Sequence, residues 1–231
     1  MRTLLLAALT LASLPRAAHA HDFWLEPSGD ASYLLRYGHR GGETLAIDAA
    51  KVKAIRCVES GEAARDVRNG AVFTATEAKV TARCAAISAF NDGGYYSLTP
   101  DGEKNLPKNQ VPDAVRSWAS RQFAKWVDPR SPVAETPVGD ELEIVPVTDL
   151  AKTKVGDKIA IRVLFQGKPA PGAVVAVDHR PIGETDSDGV TRLRLKSPGV
   201  QSLTTSLRRP LGTAEADALV LEASLTFEVV R

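Results

Sequence analysis

Lys158-Ile159-Ala160-Ile161-Arg162-Val163-Leu164-Phe165 puts Ile159, Ile161 and Val163 on one side of an extended chain and Lys158, Ala160 and Arg162 on the other. That two-residue period is the signature of a half-buried β-strand. Leu142-Glu143-Ile144-Val145-Pro146 precedes it. Gln166-Gly167-Lys168-Pro169 follows as a turn, then Ala173 to Val177 as a mostly apolar strand. Thr185-Asp186-Ser187-Asp188-Gly189 makes a tight polar turn before Val190 to Leu195, and Leu203 to Leu207 and Leu219 to Val230 complete the set. Roughly seven short strands are what a small β-sandwich requires. The Asp186-Ser187-Asp188-Gly189 turn has the opening of a calcium loop, but its twelfth position is Ser197 and strands flank it. It reads as a hairpin turn rather than an ion site.

The first part of the chain has the same character. Tyr33 to Tyr37, Val52 to Val58, Ala71 to Thr76, Val80 to Phe90 and Tyr95 to Leu98 are strand-like runs, separated by Glu-Ser-Gly-Glu, Arg-Asn-Gly and Asn-Asp-Gly-Gly turn signals. Between the two halves, residues 101–139 carry Pro107, Pro112, Pro129, Pro132 and Pro137. Val111, Val115, Trp118, Ala119, Phe123 and Trp126 fall there near helical spacing, which predicts a short helix from Pro112 to Ser120. Trp118 and Trp126 read as packing residues rather than ligand platforms. The expected fold is therefore all-β: one sandwich over residues 21–100, a Pro-rich linker with a short helix over 101–139, and a second sandwich over 140–231.

Residues 1–20 read as a cleaved signal peptide, with Arg2 as the basic start, Leu4 to Leu14 as the apolar run and Ala18-His19-Ala20 as the small-x-small cleavage pattern. The apolar run is shorter than the roughly 20 residues of a spanning helix. The expectation is an exported protein, periplasmic or secreted, with no direct membrane span. Losing Arg2 and Arg16 leaves 27 basic residues against 28 acidic ones. A nearly neutral chain without a basic block argues against nucleic acid as a partner. Cys57 and Cys84, the only cysteines, are expected to pair as a disulfide in an oxidising compartment. Met1 is the sole methionine, so no thioether copper site can be built.

Cleavage after Ala20 would make His21 the first residue. Its α-amine and ring Nδ1 could then chelate one ion, and the apolar pair Phe23 and Trp24 could anchor the terminus. The other histidines of the mature chain are His39, in the Gly38-His39-Arg40-Gly41-Gly42 turn, and His179, just before Arg180-Pro181. An amine with an ordinary pKa near 7.7 and imidazoles near 6.5 can be unprotonated at neutral pH, as metal ligation requires. His21, His39 and His179 are thus the candidate metal ligands, and nitrogen donors of this kind suit Ni(II), Co(II), Cu(II) or Zn(II).

His21-Asp22-Phe23-Trp24-Leu25-Glu26-Pro27 after a signal peptide, Gly38-His39, Leu142-Glu143-Ile144-Val145-Pro146, Val155-Gly156-Asp157 and Gly167-Lys168-Pro169-x-x-Gly172-Ala173 with Thr185-Asp186-x-Asp188-Gly189 resemble the exported NikM-like family of uncharacterised domains. The resemblance implies a component of bacterial nickel and cobalt uptake whose mature N-terminal histidine is a ligand. His21 takes that role first and His39 second. The C-terminal part also resembles transthyretin-like and Cna-B-like sandwiches. The leading expectation is a non-enzymatic periplasmic protein that captures nickel or cobalt for a membrane transporter. The alternatives are a copper histidine-brace enzyme, like the lytic polysaccharide monooxygenases, and a structural or adhesive protein without a metal site.

Overall fold

The computed structural model describes residues 21–229. The expected signal peptide and its cleavage point lie outside the described residues. In chain order the strands are β1 (Asp22–Pro27), β2 (Ser32–Gly38), β3 (Val52–Val58), β4 (Arg65–Asp66), β5 (Val72–Phe73), β6 (Glu77–Thr81), β7 (Ala86–Thr99), β8 (Gly102–Lys104) and β9 (Arg116–Val127). They continue with β10 (Leu142–Pro146), β11 (Lys158–Phe165), β12 (Lys168–Pro169), β13 (Val174–Val177), β14 (Arg180–Glu184), β15 (Val190–Arg194), β16 (Gly199–Pro210) and β17 (Ala218–Val229). The only helical pieces among the described residues are short 3-10 turns, so the all-β expectation holds.

These strands build three sheets. A nine-stranded sheet in the order β14-β13-β16-β17-β9-β7-β3-β4, with β8 added to β7, lies in the middle. Four strands ordered β1-β2-β6-β5 cover one face of it, and β10, β11, β12 and β15 cover the other. The alternation along β9 shows how the layers divide. Phe123 and Val127 join the core that includes Ile144, Ile161 and Phe227, while Ala124 joins the core of Leu25, Leu35 and Ile55. Neighbouring residues of one strand point to opposite faces, so one sheet serves two cores.

This arrangement corrects the expected linker. Residues 116–127 are not a linker or a helix: β9 runs antiparallel to β7 and parallel to β17. The short helix predicted from Pro112 to Ser120 is absent. Both edges of β9 find partners and most of its residues are buried or half-buried, so apolar side chains occupy both faces and blur the two-residue period. Strands of the 21–100 and 140–231 segments consequently meet in one continuous sheet through β9 and β17 rather than in separate ones. The Asn-Asp-Gly-Gly signal is corrected too. It is a bulge inside the 14-residue strand β7, where the register shifts between Asp92 and Gly94. Gly94 has φ +78°, and a Cβ on Gly93 would crowd Ser120 on β9 at 3.0 Å, so both positions favour glycine for local reasons.

Cys57 and Cys84 are joined by a disulfide, as expected, with Cα atoms 5.4 Å apart. The bond ties β3 of the middle sheet to the loop between β6 and β7, beneath the cover sheet. Trp126 packs against Tyr33 with ring centres 5.0 Å apart, and Trp118 stacks on Tyr96. Both tryptophans therefore act in packing. On the opposite face, Lys125 donates to Glu143 at 2.7 Å with both side chains 2% exposed. Glu143 also accepts from the backbone N–H groups of Val138 and Gly139, so its buried charge is fully surrounded by donors.

Candidate metal-binding site

Three separate pieces of chain converge at one end of the cover sheet. His21 leads into β1. His39 follows β2 in a turn closed by its own N–H donating to Glu43 O at 2.8 Å. Gly38, at φ +134°, makes this turn possible, because a Cβ there would lie 2.4 Å from Glu43 O. His179 comes from the far end of the sequence. With Asp178 it forms the two-residue loop between β13 and β14, where Val177 pairs with Arg180. Both loop residues have positive φ, 45° and 63°, as the twist-compatible hairpin turn demands.

The structure brings all three predicted histidines together. Ring centres lie 5.0 Å apart for His21 and His39 and 6.5 Å apart for His39 and His179. Asp22 ties the pieces to one another: its Oδ2 accepts from Arg40 N at 3.1 Å and lies 3.1 Å from His179 Nε2. Arg40 in turn reaches Asp178 at 3.6 Å. Tyr37 OH is 3.2 Å from His21 Nδ1.

Beneath the cluster is a buried amide network. Gln122 Nε2 donates to His21 O at 2.9 Å and to Glu222 Oε2 at 3.0 Å, and Asn91 Nδ2 donates to Gln122 Oε1 at 3.0 Å. The backbone of His21 is thereby held by β9. None of Gln122, Asn91 or Glu222 stood out in the sequence. The signal that could have found them is a polar residue interrupting an apolar strand run, as Glu222 does within Leu219 to Val230.

The electrostatics favour a neutral His21. Burial lowers the His21 pKa below its ordinary 6.5, and the neighbouring charge of His39 lowers it further. Burial pushes the Tyr37 phenol up to about 12, helped by Tyr96, Glu222 and Glu103, so it remains a hydroxyl. Burial also raises Glu222. A cavity of about 340 Å³ opens beside the cluster, lined by His21, His179, Glu222 and the hydroxyl side chains of Thr204, Thr205 and Ser224.

With metal–nitrogen bonds of roughly 2.1 Å, imidazole centres around one ion stand roughly 4.5 Å apart when adjacent and 6.5 Å when opposed. The observed spacings fall in that range. The rings are not yet oriented as a closed shell: among the described residues, no group of three or more His, Cys, Asp or Glu side chains is set to hold an ion as placed. His21 Nδ1 faces Tyr37 and His179 Nε2 faces Asp22. Small ring rotations, or coordination through His179 Nδ1 with Asp22 orienting the ring, would be needed to close it.

No curated protein and no solved structure matches the chain. A family profile described as a domain of unknown function covers residues 18–209, which takes in all three histidines, the disulfide and every strand through β15. The chain belongs to this family, DUF4198.

Proposed function

We propose that this protein is an exported carrier of a divalent transition metal, capturing nickel or cobalt in the periplasm for a membrane transporter. Cleavage after Ala20 would free the α-amine of His21, and that amine would join the imidazoles of His21, His39 and His179. The observation that carries the reading is the convergence of three histidines, the outermost of them 158 positions apart in sequence, with ring centres 5.0 and 6.5 Å apart. The resemblance of the His21 to Pro27 segment to the NikM-like family supports nickel or cobalt over copper or zinc.

The deciding experiment is isothermal titration of Ni(II), Co(II), Cu(II) and Zn(II) into protein that begins at His21, beside protein that retains one residue before it. Tight binding by the first and not the second supports the carrier. Equal binding by both removes the amine from the ligand set, and no binding by either leaves a protein without this site.

A second reading, a copper histidine-brace enzyme, has one observation in its favour. The Tyr37 hydroxyl stands within 3.2 Å of His21 Nδ1 and could supply an oxygen beside a copper ion. Oxidase activity of the copper-loaded protein with a reductant separates it from the carrier.

A further inference from the structure

The loop that carries His179 has a second side. Between β14 and β15 lies a cleft of about 460 Å³, into which Arg180, Arg192, Arg194 and Lys196 project, with Ile182 on its wall. Asp178 is the acidic residue lining it, and that carboxylate is already engaged by Arg40. Among the described residues no carboxylate pairs with Arg180, Arg192 or Lys196, and Arg194 donates to the carbonyl of Gly156. Four cations without a counter-charge are a pronounced local field in a chain whose formal net charge is only +1.

The backbone adds a second feature. β14 pairs with β13 and β15 pairs with β11, and each is the last strand of its sheet. Both therefore turn backbone groups outward, where another extended chain could add; on β15 those of Val190 are taken by Asp186, which leaves Arg192 and Arg194 to present theirs. Pro181 removes a donor from β14, whereas Val190 to Arg194 contains no proline. The better edge is β15. Its alternation places Leu193 in the core and leaves Arg192 and Arg194 outside, while Ile182 is 43% exposed across the cleft.

We propose that this cleft takes an extended acidic segment of a partner protein, added as a strand along the free edge of β15, with its carboxylates against Arg180, Arg192, Arg194 and Lys196. Backbone pairing supplies the extended shape and the cations select for acidic side chains. The site goes beyond the metal reading and stands without it. If both hold, the partner is seated one residue from His179, as a recipient of the ion would be.

Cations on edge strands also serve to block unwanted pairing, and the test must separate the two roles. The probe is a seven-residue capped peptide alternating Glu with Val or Thr, titrated into the metal-free ¹⁵N-labelled protein. The expected result is saturable shifts in the amides of residues 180, 182–184 and 190–196, weakening as salt rises. The matching Lys peptide should give none. The Arg192→Glu/Arg194→Glu variant should bind at least tenfold more weakly. Should that variant not fold, Arg180→Glu/Lys196→Glu replaces it with the same expectation.

Absence of shifts, shifts elsewhere, or equal response to the Lys peptide would overturn the proposal and leave edge protection as the role of the cations. Citrate or inorganic phosphate matching the peptide in affinity and in sensitivity to the variants would overturn the peptide assignment in favour of a small-anion pocket. Because the protein is metal-free throughout, a failure of the metal reading does not affect the result.

Discussion

His179 Nε2 lies 3.1 Å from Asp22 Oδ2, so a residue from the last quarter of the chain is tethered to the second residue of the described segment. The same Oδ2 accepts the Arg40 backbone N–H. One carboxylate thus fixes the relative positions of three histidine-bearing pieces. Asp22→Ala should weaken metal binding by about 10- to 100-fold, the usual cost of removing a group that orients ligands. Titration calorimetry reads it directly, and an unchanged affinity would show that the tether is dispensable.

The Lys125 and Glu143 pair allows a test of the other core. Lys125→Met alone would strand Glu143 as an uncompensated buried charge, and should destabilise by about 3–5 kcal/mol. Lys125→Met/Glu143→Leu should recover much of that loss. Urea unfolding of the two variants checks it, with the comparison between them more informative than either value.

Asp140 gives the protein a pH signature. Its carboxyl is buried, with Oδ1 accepting from Arg56 at 2.9 Å and Oδ2 without a partner among the described residues. Burial first, and the charge of Glu143 second, raise its pKa from 3.8 to about 7. The folded state therefore holds a proton that the unfolded state releases between those values. Its contribution to stability is fully present below about pH 3.8 and is lost as pH rises through 7. Asp140→Asn should flatten that slope and, at pH 8, stabilise by about 1–3 kcal/mol after allowing for the lost Arg56 pairing. Urea unfolding across pH 4 to 8 would reveal an unaltered slope if another group is responsible.

The disulfide joins residues 27 positions apart. Thiol labelling under denaturing, non-reducing conditions should find no free thiol in protein produced in an oxidising compartment. Cys57→Ser/Cys84→Ser should cost about 3 kcal/mol in chemical unfolding, from the freedom returned to the unfolded chain.

What the sequence revealed and concealed follows from how each strand is buried. Val52 to Val58 and Lys158 to Phe165 were legible to the residue because each stands half in and half out of a core. Arg116 to Val127 was not, because a strand between two neighbours and two cover sheets loses its alternation, and Val111, Val115 and Trp118 then mimic a helical stripe. His21, His39 and His179 were candidates from their chemistry, their positions and the family resemblance, and the fold sets their ring centres 5.0 and 6.5 Å apart. Gln122 and Asp22 acquire their roles only from partners about 100 and 157 residues away in sequence, and no local pattern reports such distances.

The outer edge of β1 is completed by the end of the chain. Ser224 donates to Phe23 O at 2.6 Å, and Thr226 donates to Leu25 O, both across a separation of 201 residues. The first strand made is therefore among the last to be finished, since its carbonyls wait for β17. Such distant closure slows folding, and it imposes an order of events: an emerging or truncated chain would present His21 on an unseated strand. On the proposed reading, an ion held through His21 would then depend on β17 having been seated against β1.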